Sequence, residues 1–261
     1  MDGQKALKAG HQVRVVDTGD ADADADAEAR KKEEGGHERF KSKEEDEEMR
    51  SGQGWDSRRL GSRIEYLNIE MPRYVCRAGD KLAAALESLS IDVRGKVAMD
   101  SGISTGGFTD CLLQHGAARV YGVDVGYGQV ADRIRRDPRV HVMERTNLRH
   151  LESLPEPVDL VTLDLSFISI LKVMPAVARL AAQRCELITL IKPQFEAGRE
   201  HVGGGGIVRD DAVRMRVLRS VSGAICDEYG WEMRGWIESP VHGAGGNREF
   251  LAHFVRTERP S

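Results

Sequence analysis

Four ionisable side chains stand where packing has no use for them. Asp164 follows the apolar run Val-Thr-Leu, Lys192 follows Leu-Ile-Thr-Leu-Ile, Glu249 precedes Phe-Leu, and Lys81 opens an amphipathic stretch. Any one of them alone reads as a capped turn or a surface charge. Two amines and two carboxylates gathered at one edge are, together, a set that can move a proton off a weak nucleophile such as a sugar hydroxyl. Methyl transfer from a sulfonium to such a hydroxyl is an in-line displacement without a covalent enzyme intermediate, so alignment supplies much of its rate. A lysine can accept or steer the hydroxyl proton when burial or a second cation lowers its pKa. The expected roles are Lys192 as that lysine, Asp164 as its orienting partner near the methyl group, Lys81 as the second cation contacting the hydroxyl or a phosphate, and Glu249 as the holder of Lys81 or of the ribose. Asp164 favours the charged form of Lys192 and Lys81 disfavours it, which leaves the net shift open at this level.

A second set of residues suits a nucleotide-like cofactor. Asp100-Ser-Gly-Ile-Ser-Thr-Gly-Gly-Phe108 follows a short apolar run and opens a helix. Gly102, Gly106 and Gly107 admit an approach that a Cβ would block, with Ser104, Thr105 and Phe108 completing the loop. Asp100 is placed to meet a positive charge or to stabilise the turn. Asp124 ends the next strand-like run, where an acid can grip both hydroxyls of an adenosine ribose. Asn147, after a third run, either meets an adenine edge or forms a turn. The loop is neither G-x-G-x-x-G nor a Walker A sequence, and alone it does not separate NAD from S-adenosylmethionine. An NAD-dependent dehydrogenase leaves Lys81, Lys192 and Glu249 without a task.

These residues need elements to position them. Leu82, Ala85, Leu86 and Leu89 recur at helical spacing. Strands are expected at 97–100, 120–124, 140–144, 158–164, 187–191, 231–238 and 250–255. Helices are expected at 107–115, 129–136, 170–182 and 210–229, the last with Asp210 as N-cap. Alternation of strand and helix implies a parallel sheet covered on both faces. The final two strands, joined only by a Gly-rich loop, form an antiparallel pair. The expected fold class is α/β: a Rossmann-like methyltransferase fold with a mainly parallel seven-stranded sheet and an antiparallel last strand, preceded by a disordered acidic N-terminal segment. Ligands of such sheets lie beyond the carboxyl ends of the strands.

The chain has 261 residues and a formal net charge of −4. Residues 20–50 carry 13 acidic and 7 basic side chains, so the remainder is close to neutral. There is no overall basic footprint of a general nucleic-acid binder, and RNA contact must come from a local patch. Residues 18–66 are expected to be a disordered acidic linker, with a solvated helix over 27–50 as the alternative. Residues 1–17 offer one short strand at most, around Val13, Val15 and Val16. Cys76, Cys111, Cys185 and Cys226 lack metal-ligand spacing and read as small buried thiols. No apolar run approaches the ~20 residues that span a bilayer. There is no signal-peptide core, and the N-terminus is too acidic for a transit peptide. The expected setting is cytoplasmic or organellar, the low-complexity insertion favouring a eukaryotic or organellar one.

Several motifs in order carry a resemblance: 77–82, Val93-Arg-Gly-Lys, Asp100 to Asp110, Gly122-Val-Asp-Val-Gly-Tyr-Gly-Gln129, Glu144-Arg-Thr-Asn147, Asp164-Leu-Ser-Phe-Ile-Ser169, Lys192-Pro-Gln-Phe-Glu-Ala-Gly198 and Asn247-Arg-Glu-Phe250. Over about 74–256 the chain resembles the TlyA/hemolysin A family, itself similar to FtsJ-type ribose methyltransferases. The resemblance implies S-adenosylmethionine as cofactor, held by Asp100, Gly102, Ser104, Thr105, Gly106, Gly107, Phe108, Asp124, Asn147 and Asp164. It implies a Lys-Asp-Lys-Glu tetrad at Lys81, Asp164, Lys192 and Glu249. It further implies ribosomal RNA as partner, with a cytidine 2′-hydroxyl as target; no membrane partner is expected, because no spanning or lytic amphipathic stretch is present. Residues 1–17 resemble only the tail of the S4 RNA-binding domain that normally begins the family. Cys76, Asp80, Ser101 and Ile103 depart from the family pattern near the expected site, and Arg184-Cys185 replaces a Pro-Gly turn before the fifth strand. Asp80 is placed to pair with Lys81 and draw it away. A catalytically weak RNA-binding or assembly protein and a membrane-active hemolysin are the competing readings.

Overall fold

A computed structural model describes residues 72–256 and, near the N-terminus, the backbone of 6–7 and 11–12. Contacts divide the chain into two units, Met1–Ile69 and Glu70–Ser261. In the first, β1 (Ala6–Leu7) and β2 (His11–Gln12) pair antiparallel, so the segment contains two short strands where the sequence suggested one at most. The strand expected around Val13–Val16 and the linker at 18–66 lie outside the described residues.

The second unit is built on seven strands: β3 (Val97–Ser101), β4 (Arg119–Val123), β5 (Val140–Met143), β6 (Val158–Leu163), β7 (Ala181–Ile191), β8 (Glu232–Glu238) and β9 (Phe250–Arg256). They lie in the order β5-β4-β3-β6-β7-β9-β8. The first five run parallel, while β9 runs antiparallel to both of its neighbours, β7 and β8. Ile191, the last residue of β7, pairs with Phe250, the first of β9. The carboxyl ends of five strands and the entry to β9 therefore share one edge, which brings Asp164, Lys192 and Glu249 to the same side.

Helices α1 (Ala78–Ser88), α2 (Gly107–Gln114) and α3 (Asp132–Arg135) cover one face, around Leu82, Leu86, Leu112 and Ile134. Helices α4 (Met174–Leu180) and α6 (Asp211–Tyr229) cover the other, around Met174, Val177, Leu218 and Ile225. A short helix, α5 (Pro193–Glu196), follows β7 directly. The Asp210 side chain accepts from Ala212 N at 2.8 Å and starts α6 as the sequence indicated. Among the described residues no helix is long and apolar enough to cross a membrane.

Two elements differ from their sequence pattern. The helix expected over 170–182 is a 3₁₀ turn at Ile170–Lys172 followed by α4, and the chain turns extended at Ala181. Strand β7 then runs for 11 residues, so Arg184-Cys185 lies inside a strand and not in a turn. Ala181 pairs with Val158 and Cys185 with Arg256, and these cross-strand bonds outweigh the helix preference of Leu180-Ala-Ala. The helix expected over 129–136 shrinks to α3, because Ala131 is extended and donates its N–H to Thr105 O at 3.1 Å.

Candidate active site

A cavity of about 410 Å³ opens at the carboxyl ends of β3, β4, β5 and β6. This lies within the ~300–1,000 Å³ typical of small-molecule sites. Asp124, Asn147 and Asp164 are among its polar groups, and Leu148, Ile168 and Val173 among its apolar walls. The mixture suits a flat heterocycle, a sugar and a charged tail.

Asp124 ties the cavity rim together. Its Oδ2 accepts from Ser104 N at 2.8 Å and its Oδ1 from Gly126 N at 2.7 Å. Each carboxylate oxygen retains a second lone pair for a ligand hydroxyl. Asn147 Oδ1 accepts from Arg149 N at 3.1 Å and caps a 3₁₀ turn, so of its two sequence-level roles the turn is occupied, while the residue also lines the cavity. Gly102 has φ +87°, and a Cβ there would collide with the Asp164 backbone carbonyl. That glycine lets the β3 and β6 loops close together under the cavity floor.

The rest of the glycine-rich loop packs against the helices beside it. Thr105, Gly106, Gly107 and Phe108 are not on the cavity wall. Gly106 has φ +100° and abuts Ile134. A Cβ on Gly107 would sit 2.9 Å from Gly79 N and crowd Cys76, so this glycine serves the close crossing of α1 and α2. Phe108 is buried among α1 and α2 residues. The two departures nearby are absorbed by packing. Cys76 Sγ lies against Gly107, and Ile103 lies over Gly122, where a side chain would collide with it.

Asp100 is also buried away from the cavity, with no exposed surface. It accepts from Thr109 Oγ1 at 2.7 Å and Thr162 Oγ1 at 2.9 Å. It meets no positive charge among these partners and acts on the turn. Burial pushes its pKa up to about 6, against the two threonine bonds that lower it. A carboxyl whose folded pKa exceeds its unfolded value favours the folded state at low pH and loses that advantage as pH rises through the folded pKa. The contribution of Asp100 to stability is therefore expected to fall by roughly 3 kcal/mol as pH climbs from well below 4 to above 6. Asp100→Asn should flatten this part of the curve of melting temperature against pH. An unchanged slope in the variant would place the titration elsewhere.

The four residues singled out by type form two ion pairs. Lys192 Nζ lies 2.7 Å from Asp164 Oδ1 and donates to Ser166 Oγ at 3.0 Å. Lys81 Nζ lies 2.7 Å from Glu249 Oε2. Glu249 is 2 % exposed, and its other oxygen accepts from Gln194 Nε2 at 3.0 Å. Asp80, expected to compete for Lys81, is exposed, while Lys81 is buried and pairs with Glu249. Adjacent helical positions diverge by about 100° around the axis, so Lys81 turns inward to Glu249 while Asp80 stays in solvent.

Further residues join the site that sequence reasoning did not assign. Gln129 accepts from Ser104 Oγ at 3.4 Å, and Thr146 lines the cavity. Phe167 is 90 % exposed at the cavity mouth, with φ +65°, and its ring lies 5.0 Å from that of Phe195. Glu196, its pKa raised by burial, accepts from Ile170 N at 2.8 Å and fastens the end of the Phe167 loop. An apolar residue in a polar loop straight after a strand was the available signal for Phe167. Its backbone conformation had none.

A family model described as FtsJ-like methyltransferase matches residues 74–256. The chain is 46 % identical over 187 residues to the 16S/23S rRNA (cytidine-2′-O)-methyltransferase TlyA of Mycobacterium tuberculosis, covering 71 % of this chain and 69 % of that protein. It is 43 % identical over 186 residues to Hemolysin A of Brachyspira hyodysenteriae, covering 70 % of this chain and 77 % of that one. The solved structure of a putative hemolysin from Streptococcus thermophilus superposes with a TM-score of 0.70 at 42 % identity, covering 73 % of this chain and 70 % of that one. A match over most of the chain, joined to a cavity and a lysine–carboxylate pair at the carboxyl ends of the strands, makes this chain a member of the FtsJ-like methyltransferase family.

Proposed function

We propose that the chain methylates a ribose 2′-hydroxyl of ribosomal RNA, with cytidine as the target nucleoside. The observation that carries this reading is the Lys192–Asp164 pair, in which the lysine stands beside a cofactor-sized cavity that Asp164 itself lines. The similarity to the rRNA (cytidine-2′-O)-methyltransferase of Mycobacterium tuberculosis supports the substrate.

S-adenosylmethionine, the cofactor of the family, supplies an electrophilic methyl group. The residues to hold it are Asp124 at the sugar, Asn147 beside the base and the Gly102 turn with Asp164 at the amino-acid end. Lys192 steers the proton away from the 2′-oxygen, while Asp164 and Ser166 fix the amine in place. Lys81, anchored by Glu249, supplies positive charge to the sugar or its phosphate. Phe167 offers an open ring on which an unstacked base can rest. The compartment is the one that holds the ribosome, cytoplasmic or organellar.

The test is transfer of tritiated methyl groups to ribosomal RNA from cells lacking this activity, with the labelled position mapped. Label on a cytidine ribose is the expected result, and no transfer by the wild-type chain would sink the proposal. Phe167→Ala is expected to raise KM for RNA about 10-fold, in line with the ~1–3 kcal/mol of one base stacked on an aromatic ring. Its affinity for S-adenosylmethionine should stay near wild type.

A further inference from the structure

Between the two ion pairs sits a side chain that neither pair explains. Gln194 lies on α5, two residues after Lys192, and reaches across to β9. Its Nε2 donates to Glu249 Oε1 at 3.0 Å, while Lys81 Nζ donates to Oε2 at 2.7 Å. Each oxygen of Glu249 thus has its own donor, one from α1 and one from the turn that carries Lys192. Crowding reinforces the clamp, because a Cβ on Gly243 would collide with Glu249 Oε1. Gln194 Oε1, by contrast, is buried with no hydrogen-bond partner. A residue present for stability would not strand an acceptor in that way, since an apolar side chain of the same length fills the space without one. The placement serves the nitrogen and its bond to Glu249.

We propose that Gln194 is a positioning residue for methyl transfer: it holds Glu249, and through it Lys81, in register with Lys192. This rests on the catalytic reading of the two lysines given above. Gln194 touches neither substrate nor cofactor in this role, and it acts by fixing the separation of the two amines. The charged groups around it are Glu249 and Lys81 on one side and Lys192, Asp164 and Glu196 around its own turn. At the start of α6, which packs against α5, Asp211 and Arg214 pair with each other.

The experiment compares Gln194→Met, Gln194→Glu and Lys192→Ala with the wild type in tritiated methyl transfer to ribosomal RNA between pH 6 and 8.5. Gln194→Met keeps the volume and removes the stranded acceptor. It also removes the donor to buried Glu249 Oε1, which is expected to lower the melting temperature; KM for RNA should stay within about twofold and kcat should fall about 10-fold. Gln194→Glu sets a carboxylate against Glu249, and two carboxylates sharing one site raise the pKa of one of them. Above that pKa they repel and Glu249 swings out. Below it a shared proton restores an O–H donor in place of the amide. The rate of Gln194→Glu relative to wild type should therefore climb at least 10-fold as pH falls across the range, while that of Gln194→Met stays flat. A merely structural glutamine would leave kcat in Gln194→Met at the wild-type value below its melting transition and the Gln194→Glu ratio independent of pH, and either result overturns the proposal. If Lys192→Ala is inactive while Gln194→Met is fully active, only the inference about Gln194 fails. If Lys192→Ala is fully active, the catalytic reading beneath it fails first.

Discussion

Lys192→Ala is expected to lower kcat for methyl transfer about 10³-fold, the middle of the ~10²–10⁴ range for a positioned proton-transfer group. Lys192 is held by Asp164 at 2.7 Å and Ser166 at 3.0 Å, and its loss removes the only amine among the described residues paired with a cavity-lining carboxylate. Arginine should not replace it. A guanidinium keeps its proton at any working pH and can offer charge but not basicity. Lys192→Arg retaining more than a tenth of wild-type kcat would show that charge alone suffices, and would reassign the proton to solvent. Affinity for S-adenosylmethionine, measured by calorimetry, should change little in either variant, because Lys192 is not on the cavity wall. A large loss of affinity would mean that the Lys192–Asp164 pair acts by shaping the cavity.

The second large effect concerns stability more than rate. Lys81→Met leaves the Glu249 carboxylate, 2 % exposed, without its cation. Removing one member of a buried pair costs about 3–5 kcal/mol, since the remaining charge stays desolvated. For a folded unit of this size that corresponds to a fall in melting temperature of about 10 °C. The double variant Lys81→Met/Glu249→Gln removes the stranded charge and should recover most of the loss, while methyl transfer stays at the level of the single variant. Recovery of stability without recovery of activity separates the pair's contribution to folding from its contribution to chemistry. If the double variant melts no higher than Lys81→Met, the buried charge was not the cause. If Lys81→Met is stable and active, the pair is dispensable.

Much of the architecture was legible from the chain. Alternation of apolar runs with helical spacing located the seven strands of the second unit, and the short Gly-rich connection before Phe250 marked the antiparallel pair. These are local properties: strand and helix periodicity, caps such as Asp210 and strand-end positions all depend on near neighbours. Chemical type carried the tetrad as well. Asp164, Lys192 and Glu249 stand out as polar residues at strand ends that packing does not require, with Lys81 on a helix as a fourth, and the fold supplies each with a partner.

The glycine-rich loop shows where local reading stops. Gly102, Gly106 and Gly107 look alike in sequence, yet only Gly102 lines the cavity, while Gly106 faces Ile134 and Gly107 faces α1. Asp100 and Asp124 both end strand-like runs, but one is sealed against two threonines and the other holds the cavity rim. What distinguishes them is which segment, remote in sequence, arrives opposite each residue.

The sequence by itself determined the element pattern of the second unit and the chemical identities available at the edge of its sheet, because periodicity and residue type act over a few positions. Only the tertiary structure decided that Lys81 pairs with Glu249 and not with Asp80, that Gln194 stands between the two lysine–carboxylate pairs, and that Phe167 is exposed at the cavity mouth. The Lys81–Glu249 contact joins residues 168 positions apart. Contacts of that span depend on where the whole sheet places its loops, and no local spacing encodes that.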